Sequence, residues 1–199
     1  MEQNVVLAGV GGQGILTIAK AISSAALKRG LHVRQAEVHG MSQRGGAVQS
    51  HLRLSDEELF SDLIPAGHAG MVIAVEPLEA LRYVSMLRPD GVIVSSTNAF
   101  VNIGNYPPIE SVLERIAGFG RHILIDADRL ARAAGSARAA NTVMLGAASL
   151  QLDLSAEELD GAVAAMFEPK GEKIVRVTRR AFRFGRNAAA AYLDGIERG

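Results

Sequence analysis

No cysteine occurs among the 199 residues, which excludes disulfides, thiolate zinc sites, cysteine nucleophiles and any iron–sulfur cluster ligated by cysteines of this chain. Tryptophan is also absent and aromatic residues make up only 5%, too few for a base-stacking or carbohydrate surface. Neither charge sign is in excess. The 21 basic residues balance 21 acidic ones, whereas gripping phosphate backbones or an acidic membrane surface needs a large basic surplus. No nucleic acid and no membrane are expected as partners. The longest apolar runs, such as residues 71–75, have strand length rather than the roughly 20 residues of a membrane span. The opening Met1-Glu2-Gln3-Asn4 lacks the basic start of a signal peptide, so a cytoplasmic protein is expected. What is abundant is glycine, with 21 residues in a chain that is 48% hydrophobic. That balance predicts one domain over residues 1–199, with Ala-rich helices covering a parallel sheet.

Residues 4–8 form a valine-rich run ending in glycines, and from 15 to 29 the apolar positions shift to helical spacing. Gly30 follows Lys28 and Arg29, basic residues at a helix end and then a stop, and residues 32–38 read as a second strand. These make one βαβ unit with an expected right-handed crossover. Residues 47–54 alternate Val48, Ser50, Leu52 and Leu54 with more polar neighbours, as a strand with one wet face does. A second unit follows: a strand at 71–75, a helix at 77–87 opened by Pro77, and a strand at 91–95 after the turn Pro89-Asp90-Gly91. Residues 122–126 supply a further strand and 127–134 a helix. Helices at 141–150 and 156–167 are joined through the N-cap candidate Ser155, and 174–196 is a long terminal helix. The stretch 101–108, with Gly104, Asn105 and two prolines, reads as a surface loop. The predicted fold is α/β: a Rossmann-like open, mostly parallel sheet flanked by helices, with an antiparallel strand or hairpin insertion.

Gly9-Val10-Gly11-Gly12-Gln13-Gly14 fits G-x-G-x-x-G between a first strand and a first helix, where glycines permit a tight turn and free N–H groups at the helix start attract an anion. A Walker loop is excluded, because Ile15 and Leu16 stand where Lys and Ser or Thr are required. A dinucleotide reading needs an acid near the end of the second strand, and Glu37 is spaced for it. The competing reading is structural: the glycines only make a close strand–helix turn, and Glu37 pairs with an arginine. Glu37-Val38-His39-Gly40-Met41-Ser42-Gln43-Arg44-Gly45-Gly46 then concentrates an acid, an imidazole, a hydroxyl, an amide and a guanidinium around three glycines. At the carboxyl ends of parallel strands this segment is expected beside the first glycine loop. Arg44 can fork onto a carboxylate or phosphate. His39 is either a proton carrier or a hydrogen-bonded structural residue. Gly40-Met41-Ser42-Gln43-Arg44 lacks the second glycine of a nucleophile elbow. His32, His39, His51, His68 and His122 show no metal-ligand spacing. Lys170, Lys173, Arg176, Arg179, Arg180, Arg183 and Arg186 form a basic helix face, open to water or to a partner subunit, while Ile174, Val177, Ala181 and Phe184 are expected to pack inward.

Both glycine segments, with Glu76-Pro77-Leu78-Glu79-Ala80-Leu81-Arg82-Tyr83 and Asn141-Thr142-Val143-Met144-Leu145-Gly146-Ala147, resemble the gamma-type domain of 2-oxoacid:ferredoxin oxidoreductases, and in particular the beta-subunit family of indolepyruvate ferredoxin oxidoreductases. The resemblance runs through nearly the whole chain; Thr178 departs from it, where the pattern has Asn. It implies a subunit, inactive alone, of an enzyme that decarboxylates an aryl 2-oxoacid to an acyl-CoA and passes electrons to ferredoxin. Thiamine diphosphate, Mg2+ and iron–sulfur clusters are then carried by a large alpha subunit, coenzyme A is a co-substrate, and no cofactor is bound by this chain alone. It also implies that Gly9, Gly11, Gly12, Gln13, Gly14, Ser42, Gln43, Arg44, Gly45 and Gly46 wall the active-site crevice, with His39 and Arg44 as catalytic candidates and no metal ligand. A stand-alone NAD(P)-binding oxidoreductase and a purely structural docking subunit are the competing readings.

Overall fold

The computed structural model describes residues 1–39, 45–101 and 103–197. Its centre is a six-stranded sheet of β1 (Glu2–Val10), β2 (His32–His39), β3 (Ala47–Ser55), β4 (Ala69–Ala74), β5 (Leu87–Ser96) and β6 (His122–Ile125), in the order β2-β3-β1-β4-β5-β6. β1, β4, β5 and β6 run parallel, and β3 is antiparallel to both of its neighbours. The expected fold class is found, and the antiparallel insertion has a definite place: β3 separates the two strands of the first βαβ unit. It pairs with β1 along its full length, from Glu2 opposite Ser55 to Val10 opposite Ala47.

The period of two along β1 explains the layers, because successive side chains point to opposite faces. Val5 and Leu7 join Leu52, Ile73, Val94 and Ile123 in a large core closed by α1 (Ile15–Lys28), α4 (Ala127–Ala134), α5 (Ala140–Ala148), α6 (Ala156–Phe167) and α7 (Glu172–Glu197). On the other face Ala8, Ala74 and Ile93 meet α2 (Pro77–Arg82) and α3 (Ile109–Ala117), and Val6 and Val72 meet Ile64 of the connection 56–68. The chain therefore winds onto one face after β1 and onto the other after β4. This makes the gap between those strands the switch point, where open α/β sheets take ligands.

α5 and α7 approach so closely that no side chain fits between them. A Cβ on Gly146 would strike the Phe182 carbonyl oxygen, and one on Gly185 the Val143 carbonyl oxygen. The fully buried residues beside this contact on α7 are Thr178, Ala181, Phe182 and Ala189; of the expected inward set Ala181 is buried, Phe184 packs half-buried against the core, and Ile174 is a correction, since it is exposed. Thr178 satisfies its hydroxyl within the helix, donating to the Ile174 and Val175 carbonyls at 3.0 Å each. Ser155 caps α6, as expected, and Glu158 closes a reciprocal box with it.

Four elements differ from expectation. α2 ends at Arg82, short of 87, and a single 3-10 turn leads into β5. Pro89-Asp90-Gly91 is then a bulge inside β5, between Leu87 opposite Ala69 and Val92 opposite Met71, and a Cβ on Gly91 would crowd the Ala69 carbonyl at 3.1 Å. α3 has no counterpart among the expected helices, since only Val112 and Ile116 are buried along it. The wet face of β3 is covered: the 56–68 segment folds over it, and the Ile64 N–H donates to Nδ1 of the buried His51 at 3.0 Å.

Candidate functional site

β1 delivers the first glycine loop to the carboxyl end of the sheet. Gly12 (φ 99°) and Gly14 (φ 77°) are left-handed, a conformation glycine adopts without strain. A Cβ on Gly9 would lie 2.6 Å from Ile15 Cδ1. Gln13 holds the turn shut: its Oε1 accepts from the Val10 N–H at 2.8 Å while its own N–H donates to the Val10 carbonyl at 3.1 Å. That amide oxygen is committed to the loop, so Gln13 shapes the turn. Gly14 is the N-cap of α1, with no side-chain cap and no acid in the first turn. The positive end of the helix thus has no counter-charge from its own cap or first turn. Asn141 of α5 secures the same corner, donating from Nδ2 to the Gly14 carbonyl at 3.2 Å.

The two glycine segments lie side by side, because the Gly11 N–H donates to the Gly46 carbonyl at 2.8 Å. Gly45 is left-handed as well (φ 80°). His39 ends β2 opposite Val48, which is opposite Gly9. Ser42, Gln43 and Arg44 lie outside the described residues, as does the side chain of His39. Glu37 is opposite Ser50, itself opposite Leu7, and accepts at 2.7 Å from Gln35 Nε2. With strands spaced about 4.8 Å apart, β3 puts Glu37 roughly 10 Å from β1. The dinucleotide reading needs that acid beside the glycine loop, and the inserted strand removes it.

Between β1 and β4 opens a cleft of about 420 Å³, lined among others by Gly12, Gly14, Asn98, Phe100, Asp128 and Arg138. The last four are absent from the sequence candidates. The rule that ligands meet strand carboxyl ends could have found Asn98 and Asp128, which follow β5 and β6 within a few residues; no spacing marks Arg138. Asn98 is the hub of the far wall. Its Nδ2 donates to Asp126 Oδ1 at 3.0 Å, and its Oδ1 accepts from the Asp128 N–H at 2.9 Å and from Ser96 Oγ at 2.8 Å. Partial burial works against ionisation of Asp126, but donation from the Arg129 N–H and the Asn98 amide, with the Arg129 and Arg132 charges, outweighs it and holds the carboxyl below its usual range. Next to the switch point Glu76 is buried, its Oε2 accepting from the Glu79 N–H at 2.9 Å and its Oε1 from Tyr106 Oη at 2.5 Å and the Phe100 N–H at 3.3 Å. Burial, and then its bond to Glu76, push the Tyr106 phenol up.

The arrangement offers backbone donors and one arginine to an anionic group, with no nucleophile–base pair, and no group of three or more His, Asp or Glu able to hold a metal among the described residues. The family model for pyruvate ferredoxin/flavodoxin oxidoreductase matches residues 4–188. The chain belongs to this family. It is 36% identical to the indolepyruvate oxidoreductase subunit IorB of Pyrococcus horikoshii, over 97% of this chain and 98% of that one. It is 29% identical to the ketoisovalerate oxidoreductase subunit VorA of Methanothermobacter thermautotrophicus, over 98% of this chain but 38% of the relative. Among solved structures it superposes with a TM-score of 0.78, at 23% identity, on the 2-oxoglutarate:ferredoxin oxidoreductase of Magnetococcus marinus, determined with 2-oxoglutarate, coenzyme A and succinyl-CoA bound, covering 96% of this chain and 31% of that one. This family member carries no helix long and apolar enough to cross a membrane among its described residues.

Proposed function

We propose that this chain is the cluster-free subunit of a 2-oxoacid:ferredoxin oxidoreductase acting on indolepyruvate or a related aryl pyruvate in the cytoplasm. The observation that carries the reading is the end-to-end match to relatives named IorB, at 36% identity over 97% of the chain. In the overall reaction one 2-oxoacid and one coenzyme A thiol give one acyl-CoA thioester, carbon dioxide and a proton, and the two electrons released reduce two one-electron ferredoxins. Thiamine diphosphate with Mg2+ supplies the decarboxylation chemistry, and iron–sulfur clusters the electron path, both from the larger subunit; with no cysteine here, cysteine-ligated clusters have to reside there. This chain's part is to close the crevice. Gly9, Gly11, Gly12, Gly14, Gly45 and Gly46 form its backbone wall, and Arg138 with the uncapped start of α1 fits a phosphate such as those of coenzyme A. His39, Ser42, Gln43 and Arg44 join them as assignments from the sequence.

Co-expression of this chain with its larger subunit tests the reading. Indolepyruvate-dependent ferredoxin reduction is expected only when both chains and coenzyme A are present, and Arg44→Ala is expected to lower turnover or raise KM for coenzyme A at unchanged subunit composition. Turnover by the isolated chain, or failure of the two chains to assemble, overturns it.

A further inference from the structure

We infer that the described residues following β5, 97–101 and 103–106, form a docking strap whose apolar tip seats the larger subunit; this rests on the proposed function. The strap is pinned at three described points. Asn98 is tied to Asp126, Asp128 and Ser96; the Phe100 N–H donates to Glu76 Oε1 at 3.3 Å; and Tyr106 Oη donates to the same oxygen at 2.5 Å. Glu76 is 1% exposed. A carboxylate that deeply buried is tolerated because donors surround it, and among the described residues two of its three come from the strap. The anchor is therefore strong, yet what it holds in place is unfavourable in water: Phe100, Val101 and Ile103 are 45%, 70% and 37% exposed. Single exposed apolar side chains are ordinary, but three within four residues on a firmly tied segment mark a contact surface.

The occupant follows from position. Phe100 lines the same cleft as Gly12 and Gly14, so a polypeptide closing over the glycine loops covers the strap tip in the same contact. The VorA relative, in which the matching region is 38% of a longer chain, shows this domain joined to further polypeptide. A rim that is apolar and pre-fixed around a polar cleft suits a partner protein, since little ordering remains to be done on association.

The test is the dissociation constant between the full chain and its larger subunit. Val101→Asp is expected to weaken it by about thirty-fold or more, the range of a well-buried contact, with unchanged thermal unfolding of the free chain. Phe60→Asp, at a site 89% exposed on the 56–68 connection, is expected to leave it unchanged. Tyr106→Phe is expected to weaken it less than Val101→Asp, and to add nothing in the double variant, because Tyr106 acts only by positioning the tip. Wild-type affinity in Val101→Asp overturns the strap while leaving the proposed function standing; failure of the wild-type chains to associate overturns both.

Discussion

His51 shows how one side chain couples a loop to the sheet. Its Nδ1 accepts from the Ile64 N–H, so the ring is neutral with its proton on Nε2, and burial lowers its pKa from the ordinary 6.5. The folded state therefore binds fewer protons than the unfolded chain just below pH 6.5. Stability is fully present above that pH and is lost as the pH falls toward the depressed folded value. Urea denaturation followed by circular dichroism is expected to show that loss on acidification, and His51→Gln to flatten it; an equal slope in both proteins would refute the assignment. Nothing in the spacing of the five histidines distinguishes His51, because its partner is a backbone N–H thirteen residues on. Glu76 was likewise hidden. The sequence places it at the end of a strand before a helix-opening proline, but its bond to Tyr106 crosses a stretch whose glycine, asparagine and prolines read only as loop.

Among the elements, the α5–α7 crossing depends most on single residues. Gly146→Ala puts a methyl group against a helix backbone that has no room to move aside, and overpacking of this kind costs about 3 kcal/mol. Thermal and urea unfolding of Gly146→Ala check this; a loss below about 1 kcal/mol would mean the helices part without strain. Helix starts were legible where a local signal exists, as at Pro77 and at Ser155. Helix ends and faces were less so. Which side of α7 turns inward depends on Gly146 meeting Phe182, a tertiary event that the periodicity of α7 does not encode. The arginines expected on its outer face divide, Arg179 pairing with Asp160 at 2.5 Å and Arg186 donating to Ser149 Oγ at 2.8 Å, while Arg180 and Arg183 stay exposed.

For the whole molecule, strand content and the mostly parallel sheet could be read from the alternation of valine-rich runs and helices, but strand order could not. Two facts decided by order separate the readings of the glycine loop: Gly11 meets Gly46, and Glu37 stands two strands away from β1. Equilibrium titration with NAD(H) and NADP(H) is accordingly expected to show no binding at millimolar cofactor; saturable binding would restore the stand-alone oxidoreductase. The placement of β3 also constrains how the chain comes together. β2 joins the sheet only through β3, so a nascent chain halted before Ala47 has nowhere to lay its second strand. Synthesis has to run on to Ser55 before the first and second strands can share a sheet, and until then β1 is unpaired on both edges, since its other neighbour, β4, lies still further downstream.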